Sequence, residues 1–194
     1  MNPIATITMA NGKKIVIELL PANAPNSVNS FINVAKQGLM DNFAIQRIVP
    51  GKWVDVSYTG FRHRASQYLV PYEYELNPDI EPLDSHLGCV CLGGYGPMGE
   101  SGAEIFFPLK DCPEHKGKFP VIGHVIEGID EILRISEVEG TEIKVADPYV
   151  TGFTPNEPQV IEKVEVETFG ETYPEPIKAD TDWLPDMWVL ETDV

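Results

Sequence analysis

Three stretches of this chain contain side chains able to act chemically, and they support different things. The segment from Asp41 to Ser57, DNFAIQRIVPGKWVDVS, places Arg47 inside an otherwise apolar run. A guanidinium stays charged across the physiological range and is rarely buried unpaired. The plainest reading is an arginine that carries its charge to the rim of the fold along its own apolar stem. Gly94-Tyr95-Gly96-Pro97-Met98-Gly99 fits a GxGxxG pattern. That pattern cradles a dinucleotide only where it follows a strand and opens a helix. Here Pro97 lies inside it, Glu100 follows, and no helical apolar stripe comes after. A carboxylate there also repels a pyrophosphate, so the stretch reads as a structural loop. Cys89 and Cys91 sit two apart in an apolar run, hence on one face of a strand and poorly placed to pair with each other. The chain has no CxxC, and its four histidines show no metal-type spacing to its three cysteines. The thiols read as small buried side chains, and no metal site is expected from this spacing.

These side chains belong to a chain of 194 residues, 43% apolar and 23% charged, enough for one well-buried core and short of two ordinary domains. Fourteen basic against 30 acidic residues leave a net charge of −16. Phosphates are repelled by such a chain, which argues against nucleic acid or an anionic membrane as partner and favours a basic one. The opening MNPIATITMANGKK lacks a basic stretch followed by an apolar one, and no run approaches 18 apolar residues. The expectation is a cytoplasmic protein in a reducing compartment, with no signal peptide and no membrane span.

The elements that must hold Arg47 are short strands. Residues 4–9 and 14–20 are rich in Ile, Val and Thr and flank Asn11-Gly12, a strong hairpin signal because both residues tolerate positive φ. Ile15, Ile17 and Leu19 alternate with Val16 and Glu18, so one face is core. A helix follows. Pro25 suits its first turn, Asn26 or Ser27 is the expected cap, Val28, Phe31, Ile32 and Ala35 form one stripe, and Gly38 stops it. Strands are expected at 43–49, 53–58, 70–76, 88–92, 103–107, 119–126 and 160–167, with a second amphipathic helix over Ile129–Val138. Strands that do not alternate with helices favour a closed barrel over a parallel sheet.

In this order the chain resembles the cyclophilins. Its APNSVNSF, QRIVPG, GAEIFF and HKGKFPVIGHVIEG stand where that family has A-P-x-T-V-x-N-F, F-H-R-V-I-P-G, G-S-Q-F-F and L-D-G-K-x-x-x-F-G-x-V-x-x-G. The likeness covers about residues 3 to 167. It implies a mainly β fold, a closed eight-stranded antiparallel barrel capped by two α-helices, spanning residues 1–168. It also implies peptidyl-prolyl cis-trans isomerase activity on X–Pro bonds, with Arg47 in the place of the catalytic arginine and no cofactor. Proline-containing segments become the expected partners. By the same likeness the substrate pocket is formed by Phe106, Trp53, Asp55, Glu104, Phe119, His115 and Gly93.

Several of these positions depart from the family pattern. Ile45-Gln46 replaces Phe-His before the arginine, Gly93-Gly94 replaces Ala-Asn, and Phe119 replaces His or Tyr. Both glutamines that flank the family's arginine are acids here, Asp55 and Glu104. A carboxylate pairs with a guanidinium bidentately and neutralises part of its field. Both acids are therefore expected on Arg47, with weakened isomerisation and a preference for Lys or Arg beside the proline. The alternative is a catalytically degenerate module that binds proline-containing or basic segments without turning them over. Residues 169–194 fall outside the resemblance as an acidic extension with Tyr173, Trp183 and Trp188. Disordered tails are poor in such residues, so a packed tail is expected, either covering barrel surface or docking one of its X–Pro pairs in the pocket.

Overall fold

The computed structural model describes residues 1–144 and 150–188. It contains β1 (Ile4–Met9), β2 (Lys14–Leu19), α1 (Pro25–Lys36), β3 (Phe43–Ala44), β4 (Arg47–Val49), β5 (Trp53–Asp55) and β6 (Leu69–Val70). These are followed by α2 (Glu73–Leu76), β7 (Cys89–Gly94), β8 (Glu100–Pro108), β9 (Val121–Glu127), α3 (Ile129–Ser136), β10 (Gly140–Ile143), β11 (Gly152–Pro155) and β12 (Val160–Glu167). Pairing is antiparallel throughout and runs β4-β5-β8-β7-β9-β2-β1-β12-β3, with β10-β11 beyond β4 and β6 on β8. Only Ile45 and Gln46 separate β3 from β4. Ile45 N–H donates to Gln159 O at 2.9 Å and Gln46 N–H to Val56 O at 3.2 Å. The chain thus crosses at this point from β3, the last strand of this order, to β4, and the connection closes the sheet into a barrel.

Alternation decides what fills it. Ile15, Ile17 and Leu19 of β2, Val54 of β5, and Ala103, Ile105 and Phe107 of β8 are buried in one core with Val28, Phe31, Ile32 and Ala35 of α1. The next residues along the same strands, Trp53, Asp55, Glu104 and Phe106, therefore lie on the outer face. A second, smaller apolar cluster forms there from Cys89, Cys91, Phe106 and Val121, with Leu20, Trp53 and Phe119 packed against it.

Several local expectations change. α1 is capped by neither Asn26 nor Ser27. The buried Glu73 of α2 accepts from Asn26 N–H at 3.3 Å and Ser27 N–H at 2.7 Å, so an acid 46 residues away supplies the cap and suits the positive end of the helix. The strand expected at 70–76 stops at Val70, because Pro71 has no N–H to donate, and 73–76 turn into α2. The expected strand at 53–58 keeps ladder pairing only through Asp55, although Val56 N–H still reaches Ile105 O at 3.0 Å. The hairpin of β10 and β11 was not foreseen. The GxGxxG stretch is the β7–β8 turn, with Gly94 paired to Glu100 and no helix after it. Gly99 there has φ +109°, and a Cβ would sit 2.4 Å from Val70 O, so only glycine closes this turn.

Candidate active site

Cross-strand register sets out the site. Arg47 faces Asp55, Asp55 faces Phe106, and Phe106 faces Cys91 across β4, β5, β8 and β7. Above this row lies a cavity of about 350 Å³ lined by Arg47, Trp53, Asp55, Gly93, Glu104, Phe106, His115 and Phe119, together with Ser57, Tyr58, Gly94, Tyr95, Ile105 and Met187. All eight residues singled out from the sequence thus border one space. The sequence reading missed Tyr58, Tyr95 and Met187.

One side of the cavity is aromatic. Phe106 meets Phe119 edge-on at 5.6 Å, His115 at 5.6 Å and Trp53 at 6.4 Å, and His115 meets Phe119 at 4.9 Å. Burial lowers the His115 pKa below its ordinary value. A neutral imidazole among rings leaves this side apolar enough to hold a proline ring.

Arg47 approaches the cavity from β4. Its Nε donates to Asp55 Oδ2 at 2.6 Å, and the same oxygen accepts from Trp53 Nε1 at 2.9 Å. The guanidinium lies over the Tyr58 ring, 4.7 Å from its centroid. Among the described residues neither Nη has a hydrogen-bond partner, so the pairing is one-pronged rather than the two-pronged one expected. Burial raises the Asp55 pKa, and the attraction and hydrogen bonds of Arg47 and Trp53 oppose the rise.

Glu104 does not reach Arg47, and this corrects the expectation that both acids hold it. Its Oε1 accepts from Trp188 Nε1 at 2.6 Å and Gly60 N–H at 3.2 Å, and its Oε2 from Tyr95 OH at 2.6 Å. Burial lifts its pKa to about 7 against the pull of these three donors. Gly60 begins a left-handed turn in which Phe61 and Arg62 also have positive φ, 55° and 52°. Each non-glycine residue there costs about 1–2 kcal/mol, which the hydrogen bonds of Ser57, Ser66 and Glu104 offset.

Trp188 brings the C-terminal extension into the site. Asn26 of α1, freed from capping, takes Ile177 N–H on Oδ1 at 2.7 Å and donates Nδ2 to Ile177 O at 3.1 Å. Ala179 N–H continues onto Leu69 O at 2.8 Å, and Lys178 Nζ sits over the Tyr68 ring. Trp183 and Trp188 then meet Tyr95 edge-on at 6.1 and 5.7 Å, Trp188 is buried, and Met187 lines the cavity. The extension packs from Tyr173 to Trp188, and what enters the site is Met187-Trp188 rather than an X–Pro pair. The last six residues lie outside the described ones.

Among the described residues two groups of donors lie close enough together to hold a metal, contrary to the sequence expectation: Cys112, Glu114 and His115 beside the cavity, and His86, Cys89 and His124 further along β7. Sequence separation concealed the second, since the opposed Cys89 and His124 are 35 positions apart.

Residues 4–166 match the model of the cyclophilin type peptidyl-prolyl cis-trans isomerase family. The chain is 30% identical over 156 residues to peptidyl-prolyl cis-trans isomerase-like 2 of Cryptococcus neoformans, covering 77% of this chain and 27% of that protein. Thus the chain spans about a quarter of that relative's length. It is 26% identical over 122 residues to peptidyl-prolyl cis-trans isomerase B of Bacillus subtilis, covering 63% of this chain and 82% of that one. A Cryptosporidium parvum cyclophilin type peptidyl-prolyl cis-trans isomerase, solved in the presence of the dipeptide Ala-Pro, superposes with TM-score 0.66 at 13% identity over 85% of this chain and 99% of that one. The barrel with its outer cleft is a cyclophilin fold. The chain belongs to the cyclophilin-type peptidyl-prolyl cis-trans isomerase family.

Proposed function

We propose that the chain binds X–Pro segments in the cavity between Arg47 and Phe106 and catalyses their cis/trans isomerisation at a reduced rate. Rotation about an X–Pro bond meets a barrier of about 18–20 kcal/mol, because the C–N bond is partly double. As the amide twists, the nitrogen lone pair localises and becomes an acceptor. A donor that binds the twisted amide better than the planar one lowers the barrier. The observation that carries this reading is Arg47: a charged group fixed through Nε, its Nη donors unclaimed among the described residues, facing an aromatic side across a cavity of about 350 Å³. Asp55 holds the guanidinium and removes part of its field, which supports the reduced rate.

The acids also support a substrate with Lys or Arg near the proline and argue against nucleic acid. Isomerisation of X–Pro bonds suits a role in protein folding, and the free buried Cys89, Cys91 and Cys112 suit the reducing cytoplasm. Among the described residues no helix is long and apolar enough to cross a membrane. Isomerisation of a proline peptide, coupled to an isomer-selective protease, tests the reading. Arg47→Ala should lower kcat/KM by roughly 10²-fold, the usual loss on removing one oriented charge donor. Equal rates for wild type and variant would leave the alternative, a module that holds proline-containing or basic segments without turning them over. Its affinity would weaken as salt rises.

One observation favours a second element in this reading. Met187 lines the cavity and Trp188 bonds to Glu104 in its wall, so the extension competes with long peptides for it.

A further inference from the structure

One pleat along β7 from Cys91, outside the cavity, Cys89 stands directly opposite His124 of β9. His86 lies three residues earlier, in a turn closed by Cys89 N–H donating to His86 O at 3.0 Å. One donor atom from each of the three side chains falls within 4.8 Å of the others. We propose that His86, Cys89 and His124 form a binding site for a zinc-class divalent cation, with water in the fourth position.

The Cys89–His124 pair already stands close to the spacing an ion needs. Cys89 Sγ and His124 Nδ1 are 3.7 Å apart. A tetrahedral ion with bonds of about 2.3 Å to sulfur and 2.0 Å to nitrogen separates those two atoms by about 3.5 Å. The rings of His86 and His124 stack at 5.9 Å with 17° between their planes. His86 Nδ1 lies 2.8 Å from Leu87 O. An imidazole that donates its Nδ1–H to a carbonyl keeps the lone pair on Nε2, the arrangement outer-shell bonds give to metal-bound histidines.

The surroundings suit a cation. Glu18 of β2 faces His124 across the β2–β9 pair, and the chain as a whole carries −16. The sulfur's other contact is weak, a 3.7 Å thiol donation to Asp84 O. Two imidazoles and a thiol select a borderline-soft ion and discriminate against calcium and magnesium, which want oxygen. Binding exchanges a proton for the metal. The Cys89 S–H bond breaks, a thiolate–metal bond forms, one proton leaves to solvent, and no electron is transferred.

Cobalt(II) reports such a site because a bound thiolate adds a charge-transfer band in the near ultraviolet. Added to the reduced full-length chain, one equivalent of Co²⁺ should produce that band together with the intense visible bands of four-coordinate cobalt, and Zn²⁺ should bleach both. Cys112→Ser, at the other donor cluster, should leave the spectrum intact, whereas Cys89→Ser should abolish the charge-transfer band. His86→Ala changes an exposed residue outside the core and should weaken Zn²⁺ at least about tenfold, the loss that even outer-shell changes cause. It should also remove the rise in thermal midpoint that Zn²⁺ gives the wild type. A wild-type spectrum without the band, a band that survives Cys89→Ser or is lost in Cys112→Ser, or equal Zn²⁺ affinity in His86→Ala overturns the proposal. Should Cys89→Ser not fold, the His86→Ala comparison and the wild-type spectrum decide it.

Discussion

The two acids of the cavity stand where the family pattern has glutamine, yet their surroundings make them unlike. Asp55 sits on the strand beside Arg47 and spends its charge on the guanidinium. Glu104, one strand further, has no cation in contact among the described residues and is surrounded by the Trp188, Tyr95 and Gly60 donors. The difference follows from register. Asp55 lies directly across from Arg47, whereas Phe106 rather than Glu104 lies across from Asp55. Asp55 thus takes up part of the Arg47 charge, whereas Glu104, two residues before Phe106 on β8, builds a seat for the chain's own tail.

The strongest way to break this comparison is to empty that seat. Trp188→Ala, or a chain ended after Thr168, should improve the affinity for proline peptides by about tenfold if the docked tail leaves the cavity open roughly a tenth of the time. Titration of a fluorescent peptide measures it, and unchanged affinity in both proteins would show that the tail only covers barrel surface. A smaller effect is expected on the other side. Asp55→Asn keeps an oxygen for Arg47 Nε and Trp53 Nε1 but restores the positive field, and a neutral partner makes about half as strong a bond. The expected rise in kcat is roughly threefold, with little change in KM, in the same protease-coupled assay. A fall in kcat would mean that Asp55 serves to position Arg47 and nothing more.

The frame of the site was legible in the sequence because it depends on local pattern. Alternation along β2 and β12, Asn11-Gly12, the α1 stripe and the position of Arg47 in its strand all follow from neighbours within a few residues. What escaped depends on contacts between distant residues. Glu73 caps α1 from 46 residues away, Asn26 holds Ile177 across 151, and Cys89 meets His124 only through the pairing of β7 and β9. β10 and β11 are four residues each, too short for a period of two to stand out, and Pro155 interrupts the second. The pairing of Glu104 with Arg47 was misjudged for the same reason: residue type was readable, but register was not.

The smallest effect concerns at most one proton. Burial holds the Glu104 pKa near 7, above its ordinary 4.5, so between these values the folded chain keeps a proton that the unfolded chain releases. Stability from this source is complete below about pH 4.5 and declines as pH rises through 7. Glu100, buried beside Glu73 and lifted to about 8, extends the decline in the same direction. Gln in place of Glu104 still accepts from Trp188 and Gly60 but has nothing to titrate. Glu104→Gln should therefore flatten the fall in thermal midpoint between pH 4.5 and 7 and leave the part above 7, owed to Glu100, in place. An unaltered slope below 7 would mean that Glu104 stays ionised against its three donors, and the contrast with Asp55 would then rest on contact alone.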